Sequence, residues 1–223
     1  MKAVVILSGG IDSTTVAYLL KSQSYDLICV TFDYGQKQNI EINHAKIIAT
    51  KLVAKHIIID ISFLKQLLNK SSLLNQDIIV PDGKYAEDNM KSTVVANRNT
   101  IMLSIAWSIA CNEDASILAY GAQCGDHYLY PDTRPDYFNS INLALRLGTE
   151  GCRADNLNLV APLLYKSKAE VISLSQQLQV PLELTWSCYK DLNLHCGTCG
   201  ACMNRKMGFL DANITDPTKY LFS

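Results

Sequence analysis

The sequence lacks an excess of either charge, and it lacks apolar runs long enough to span a membrane. It contains 20 lysine and arginine residues against 21 aspartate and glutamate residues, a net charge of −1. A bulk positive field that attracts nucleic acid or an anionic membrane is therefore not expected, and a small or localised ligand is favoured. The first apolar run, residues 3–7, is shorter than the apolar region of a signal peptide, and a membrane span needs roughly 18 apolar residues. These features predict a cytoplasmic protein that binds neither nucleic acid nor membrane.

Internal repeats and low-complexity tracts are also missing, and a composition of 48% hydrophobic and 18% charged residues does not favour disorder. Apolar runs typical of buried strands alternate with helix-like stretches along the 223 residues. The runs are KAVVIL (2–7), DLICVTFD (26–33), HIIIDI (56–61), SILAYG (116–121) and NLVAPLL (158–164). Because they are continuous rather than alternating, they predict parallel strands buried on both faces and hence an α/β fold.

Two stretches depart from this alternation. Residues 69–96 form a polar excursion that is longer than most connections in compact domains, and we predict a lid or an insertion there. From about residue 186 the chain carries a cysteine cluster and one last helix, near residues 201–210. We therefore divide the chain into a main domain over residues 1–185 and a small C-terminal lobe over residues 186–223.

The segment LSGGIDSTTVA, residues 7–17, connects the first predicted strand to the first helix. Its two glycines, Gly9 and Gly10, let the backbone approach a ligand closely and turn N–H groups towards it. Ser13 can donate its hydroxyl, and the helix that follows offers unpaired N–H groups and about half a positive charge. A tight turn without a ligand is the alternative. The patterns GxxxxGK[ST] and GxGxxG are both missing, so a loop that grips a pyrophosphate leaving group is favoured.

Four of the eight cysteines lie close together near the end of the chain: Cys188, Cys196, Cys199 and Cys202. Their C-x7-C-x2-C-x2-C spacing, with glycines for tight turns, suits a tetrahedral zinc ion. The alternatives are an iron–sulfur cluster, a redox C-x2-C pair, a disulfide knot and a DNA-binding zinc ribbon. A disulfide knot conflicts with a reducing compartment. We interpret the other four cysteines as buried or incidental thiols: Cys29, Cys111, Cys124 and Cys152.

Residues 7–17 resemble the SGGxDS loop of the PP-loop ATP pyrophosphatases. These enzymes cleave ATP between its α and β phosphates and so adenylate an acyl or amide oxygen. The resemblance implies a Rossmann-like core of the adenine-nucleotide alpha-hydrolase type, with ATP bound by the main domain. It implies the following ATP-binding residues: Leu7, Ser8, Gly9, Gly10, Ile11, Asp12, Ser13, Thr14, Thr15, Val16 and Ala17.

Further segments are similar to one family in this group, the 7-cyano-7-deazaguanine synthases, which combine the loop with a C-terminal four-cysteine zinc site. The matching segments are TFDYGQ (31–36), NRN (97–99), GDHYLYPDTRPDYF (125–138), APL (161–163), KSKAEV (166–171), TWSCY (185–189) and CGTCGAC (196–202). Two positions depart from the family pattern. Ala96-Asn97 stands where the family usually has Pro-Gly, and Thr133 stands where Cys is common.

The resemblance implies an ATP-dependent C–N ligase of queuosine biosynthesis. Its substrates are 7-carboxy-7-deazaguanine and ammonia, and its product is 7-cyano-7-deazaguanine (preQ0). The carboxylate is adenylated and converted to an amide, and the amide is adenylated and converted to the nitrile, with release of AMP and pyrophosphate. The resemblance also implies Mg²⁺, one structural Zn²⁺ for each chain, and a homodimer.

The predicted catalytic residues are Ser8, Asp12, Ser13, Arg98 and Lys168. Asp12 is a candidate for helping to hold Mg²⁺, with helix capping as its alternative role. Lys168 and Arg98 lie at predicted helix starts, where each can contact phosphate or the substrate carboxylate, and an exposed structural position is the alternative.

The predicted substrate-binding residues are Asp126, Asp132 and Arg134, from a loop rich in Gly, Pro and Asp. A carboxylate can accept the paired donors of the deazaguanine ring, and an arginine can bind the substrate carboxylate with two hydrogen bonds. A dimer contact is the alternative for this loop. Two other functions stay open at this point, a tRNA thiolase of the PP-loop group and a non-catalytic zinc protein that senses nucleotide or binds DNA.

Overall fold

The computed structural model describes residues 1–84, 88–151 and 156–222. Within them a five-stranded parallel sheet has the order β3-β2-β1-β4-β5. The strands are β1 (Lys2–Ile6), β2 (Asp26–Asp33), β3 (Lys55–Asp60), β4 (Ile117–Ala119) and β5 (Asn158–Val160). The helices are α1 (Ile11–Ser22), α2 (Ile40–Lys51), α3 (Leu64–Leu67), α4 (Arg98–Asn112), α5 (Pro135–Leu147), α6 (Lys168–Gln177) and α7 (Gly200–Asp211). The α/β fold predicted from the sequence is confirmed.

The sheet buries both of its faces, which explains the continuous apolar runs. Val4 of β1 belongs to a core on one face, where it is buried together with Leu103 and Trp107 of α4. Its neighbours Ala3 and Val5 belong to the core on the other face, together with side chains of α1, α2 and α6. Since successive side chains of a strand point to opposite faces, a strand with two cores must be apolar at nearly every position.

The five predicted strands and the helices that follow them are confirmed, with shifts of a few residues at their ends. Helix α5 begins at Pro135, because proline is accommodated at the first helical position. The described part of the excursion over residues 69–96 consists of turns and a 3₁₀ helix, Asp88–Thr93. Residues 85–87 of this excursion lie outside the described residues. The predicted incidental thiol of Cys152 also lies outside them.

The C-terminal segment packs on the sheet domain. Trp186 and the four clustered cysteines share one apolar core with residues of β1 and β2, and α7 packs against α6. The division at residue 185 stays a prediction. Among the helices that the structure describes, none has the length and apolar character that crossing a membrane requires.

Candidate functional site

The loop between β1 and α1 lies where the strand order reverses. The chain runs from β1 to β2 and β3 on one side and then returns to β4 on the other. Parallel sheets bind ligands in the crevice at such a point. A cavity opens there, and the loop residues that line it are Leu7, Ser8, Gly10, Ile11, Asp12 and Ser13.

Hydrogen bonds within the loop fix its shape. The Ser13 Oγ lies 3.0 Å from the Ser8 Oγ and accepts the Ser8 backbone N–H at 3.1 Å. Gly9 has φ +84°, and a Cβ there would lie 2.5 Å from the Glu41 carbonyl oxygen, so this position requires glycine. The other predicted ATP-binding residues do not line the cavity. These are Gly9 and the buried helix residues Thr14, Thr15, Val16 and Ala17.

An ion pair between Lys168 and Asp12 stands beside the loop. The Lys168 Nζ lies 2.7 Å from each carboxylate oxygen of Asp12, and the two side chains are only 13% and 23% exposed. Lys168 is the first residue of α6, which begins with a capping box formed by Ser167 and Glu170. Two predicted catalytic residues that are distant in the sequence therefore meet at the cavity wall.

Arg98 lines the same cavity from the start of α4. Its Nη1 donates to the Tyr34 hydroxyl at 3.1 Å, and its guanidinium lies 5.3 Å from the centroid of that ring. Burial raises the pKa of Tyr34 to about 12, so the phenol is neutral near pH 7. Asn97, which precedes the arginine, has φ +58°. Asparagine tolerates this left-handed conformation better than most residues other than glycine.

Asp126 also lines the cavity, at the end of a 3₁₀ turn that follows β4. The turn is fixed because Tyr130 donates its N–H to the Asp126 carbonyl at 2.9 Å and Gly125 donates its N–H to the Gln123 side chain at 2.9 Å. Burial raises the pKa of the Asp126 carboxyl to about 6. The charge of Lys168 lowers this pKa and that of Asp12 raises it, so the carboxyl senses the ion pair beside the loop.

The other two predicted substrate residues do not line the cavity. The Asp132 carboxylate accepts the Asn99 backbone N–H at 3.0 Å, and the Asp132 carbonyl accepts the Asn99 side-chain amide at 2.9 Å, which ties the loop to the first turn of α4. Arg134 donates from Nε to the His127 carbonyl at 2.7 Å. Of the three residues, the structure therefore brings only Asp126 together with the loop and Arg98. Substrate binding by Asp132 and Arg134 stays a prediction.

Several cavity residues were not assigned a role from the sequence, among them Gly121, Tyr34, Gln36 and Glu41. Gly121 follows β4, and a Cβ there would lie 2.8 Å from the Ser13 nitrogen, so glycine allows β4 to approach the start of α1. Tyr34 and Gln36 belong to the TFDYGQ segment, and Glu41 lies in the first turn of α2. The Gln36 side chain donates to the Glu41 carboxylate at 2.9 Å. For Tyr34 and Gln36, the signal available in the sequence was the resemblance of TFDYGQ to the family segment.

The four clustered cysteines are buried, and their sulfur atoms all lie within 4.8 Å of one another. The Cys196 and Cys202 sulfurs are 3.8 Å apart. Tetrahedral zinc with Zn–S bonds of about 2.3 Å places sulfurs about 3.8 Å apart. The donor set and its spacing therefore fit a single metal ion.

The segment before this cluster contacts the loop directly. Trp186 donates its backbone N–H to the Gly9 carbonyl at 2.8 Å. Its indole lies against the His195 ring at a tilt of 38°, with ring centroids 4.3 Å apart, and donates to the Cys188 carbonyl at 2.9 Å. The buried Arg205 of α7 donates to the Thr185 hydroxyl at 2.8 Å. The cysteine cluster is thereby connected to the loop over residues 8–13 through one short segment.

Comparison with solved structures gives a weak likeness. The structure of NMN synthetase from Francisella tularensis is 18% identical, covers 81% of this chain and 62% of that one, and has a TM-score of 0.49. The fold assignment accordingly depends on the strand order and on sequence.

Comparison with known sequences is decisive. The chain is 40% identical over 220 residues to the 7-cyano-7-deazaguanine synthase of Brucella ovis, across 99% of this chain and 94% of the relative. It is also 40% identical to the enzyme of that name from Rhizobium leguminosarum bv. trifolii, across 99% and 92%. Residues 2–213 match the family described as "Queuosine biosynthesis protein QueC". The chain belongs to the QueC family of queuosine biosynthesis.

Proposed function

We infer that the protein is a 7-cyano-7-deazaguanine synthase. It uses ATP and ammonia to convert 7-carboxy-7-deazaguanine into the nitrile through the amide. The observation that carries this function, besides family membership, is the cavity that joins the loop over residues 8–13 to Arg98 and Asp126. The sites for ATP and for a small acid must share one cavity if the acid is to be adenylated.

The loop would bind the pyrophosphate that leaves. A carboxylate is a poor electrophile because an oxide would have to leave, whereas attack on the α-phosphorus makes that oxygen part of AMP. Donors aimed at the charge that develops on pyrophosphate lower the barrier for this step. The Ser8 and Ser13 hydroxyls and the start of α1 supply such donors. Lys168 lies beside them and adds a cation, already oriented by Asp12.

Arg98 would bind the substrate carboxylate. Its guanidinium faces the cavity, and its hydrogen bond to Tyr34 uses a neutral partner, so its charge is not neutralised there. Guanidinium and carboxylate are matched for two parallel hydrogen bonds. The carboxylate would then lie in the same cavity as the loop, where one of its oxygens can use a second lone pair to attack the α-phosphorus.

Two metal ions belong to the proposal. Mg²⁺ would be held mainly by the phosphate oxygens of ATP, because both oxygens of Asp12 already accept from Lys168, and it would neutralise phosphate charge. Zn²⁺ would be held by the four cysteines as a closed structural site. We further propose a cytoplasmic homodimer, for which the exposed Leu143 and Leu147 on one side of α5 offer an apolar contact.

A product assay tests the function. Purified protein is incubated with ATP, Mg²⁺, ammonium and 7-carboxy-7-deazaguanine, and mass spectrometry follows the base while AMP is counted. We expect two AMP for each nitrile, with the amide as a transient species. ATP binding without any change in the base would contradict the assignment and would redirect attention to thiolation substrates.

A variant and its control sharpen the assay. Lys168→Met keeps the apolar stem that packs beside Gly208 but leaves the Asp12 carboxylate unpaired. We expect turnover to fall by about 100-fold or more, in line with loss of an electrostatic donor at a reacting phosphate. Lys51→Met, at the exposed end of α2, is the matched control and should leave turnover unchanged.

A further inference from the structure

Asp126 differs from the other acidic residues of the cavity in its neighbours. Asp12 is paired with Lys168, and Glu41 accepts from Gln36. Asp126 has no ion pair within the part of the chain that the structure describes. A carboxylate that is buried at a cavity wall without an ion-pair partner accepts a proton more readily than an exposed one, because burial disfavours its charged form.

Its position is set by the elements around it. Asp126 lines the cavity together with Lys168 and Asp12 beside the loop and with Arg98 at the start of α4, and the charges of all three act on its carboxyl. The reacting carbon must lie in this cavity, because it carries both the oxygen that attacks phosphorus and the group that Arg98 binds. The Asp126 carboxylate therefore lines the space in which the nitrogen and this carbon are joined.

We propose that Asp126 is the general base of the reaction and accepts a proton from the substrate nitrogen in each half. This role rests on the proposed function. In the first half, ammonia attacks the acyl adenylate, the N–C bond forms, one N–H proton passes to Asp126, and the C–O bond breaks with its electron pair leaving on AMP. Asp126 then returns the proton to water.

The second half needs the same group. The oxygen of the amide attacks the α-phosphorus, the bond between this phosphorus and pyrophosphate breaks with its electron pair leaving on pyrophosphate, and the amide nitrogen becomes cationic and bears two protons. One proton passes to water. Asp126 takes the other while the C–O bond to AMP breaks, and the electron pair of that N–H bond becomes part of C≡N. A base is effective near neutral pH when its pKa lies close to the working pH, and burial moves that of Asp126 to about 6.

The charges that face Asp126 come from several elements. They are Lys168 of α6, Asp12 of α1, Arg98 of α4, and Tyr130 and Cys124 of its own loop. The cationic groups lower its pKa and Asp12 raises it. Below about pH 6 Asp126 is protonated, so the rate of nitrile formation should fall as the pH decreases through this value. Starting from the amide removes ammonia from the reaction, so the profile is free of ammonium ionisation.

The test separates adenylation from proton transfer. Adenylation is followed as exchange of labelled pyrophosphate into ATP with 7-carboxy-7-deazaguanine and Mg²⁺ but no ammonium. Nitrile formation is followed from the amide between pH 5 and pH 8. For Asp126→Asn we expect exchange close to that of the wild type, nitrile formation slower by about 100-fold or more, and loss of the acidic limb of the pH profile. Asp136→Asn, an exposed residue at the start of α5, is the control and should behave as the wild type.

Each other outcome overturns the proposal in a recognisable way. Loss of exchange together with turnover would assign Asp126 to adenylation, as a metal ligand or a reader of the ring. Unchanged nitrile formation or an unchanged acidic limb would show that another group takes the proton. If Asp126→Asn does not fold, Asp126→Glu replaces it: exchange should persist with nitrile formation about tenfold slower and the acidic limb retained, and loss of exchange in the folded variant would overturn the role. Absence of exchange in the wild type would refute the proposed function itself. The Asp126 variants test only the proton-transfer role, so the two failures are distinguishable.

Discussion

The loop over residues 8–13 and the cysteine cluster are connected through Trp186, yet their shapes have different origins. The loop is held by glycine conformations and by hydrogen bonds among Ser8, Gly10 and Ser13. The cluster brings four buried sulfurs together, and thiols by themselves attract one another weakly. Backbone geometry therefore fixes the shape of the loop, whereas we propose that the cluster is stabilised by a bound zinc ion.

The largest effect should follow from breaking the cluster. Cys199→Ser removes one of four ligands, and structural zinc contributes about 10 kcal/mol to folding in small domains. We expect zinc content near zero and a cooperative loss of the C-terminal fold. ATP affinity should fall as well, since Trp186 connects this segment to Gly9. Zinc stoichiometry, thermal unfolding and ATP titration measure these effects. Cys124→Ser lies outside the cluster and should retain zinc. Normal ATP affinity in zinc-free protein would show that the cysteine cluster does not influence the loop through Trp186.

A smaller effect should follow from reshaping the loop. Gly9→Ala combines a positive φ with a Cβ 2.5 Å from the Glu41 carbonyl and 2.9 Å from the Ala45 nitrogen. We expect a loss of about 3 kcal/mol in unfolding free energy, from backbone strain and overpacking together. ATP affinity should fall by at least about tenfold while zinc stays bound.

Gly151→Ala is the control for this change. Its φ of +75° is similar, but among the described residues other than its chain neighbours no atom lies within 4 Å of the added Cβ. It should cost only about 1 kcal/mol, the strain of the left-handed conformation alone. Equal losses in urea unfolding for the two variants would show that contact with α2 does not shape the loop.

The same contrast explains what the sequence could predict. The strands, the loop and the cysteines are local patterns, so their periodicity and spacing were sufficient. The direction of side chains in the irregular segment after β4 was not predictable, because such backbone has no period. Asp126 lines the cavity, whereas Asp132 is held on the Asn99 N–H of α4. Glu41 lies in the first turn of a helix, where no motif marked it, and the packing of α2 against Gly9 brings it to the loop.

The smallest effect concerns Glu41, whose carboxylate borders the loop. Burial raises its pKa from an ordinary value near 4.5 to about 7, against the lowering effect of Arg98. A carboxyl whose pKa is higher in the folded state stabilises the fold below its unfolded pKa, and this contribution is lost as the pH rises to about 7. Wild-type stability should therefore fall by about 2.5 kcal/mol between pH 5 and pH 8 through this group. Glu41→Gln keeps an oxygen for the Gln36 amide and should remove that part of the decrease, as measured by urea unfolding at each pH, whereas Glu150→Gln at an exposed position should not. If the two variants show the same dependence of unfolding free energy on pH, the charge of Glu41 is already compensated in the fold. Ionisation of Glu41 would then not destabilise the wall of the cavity next to the loop.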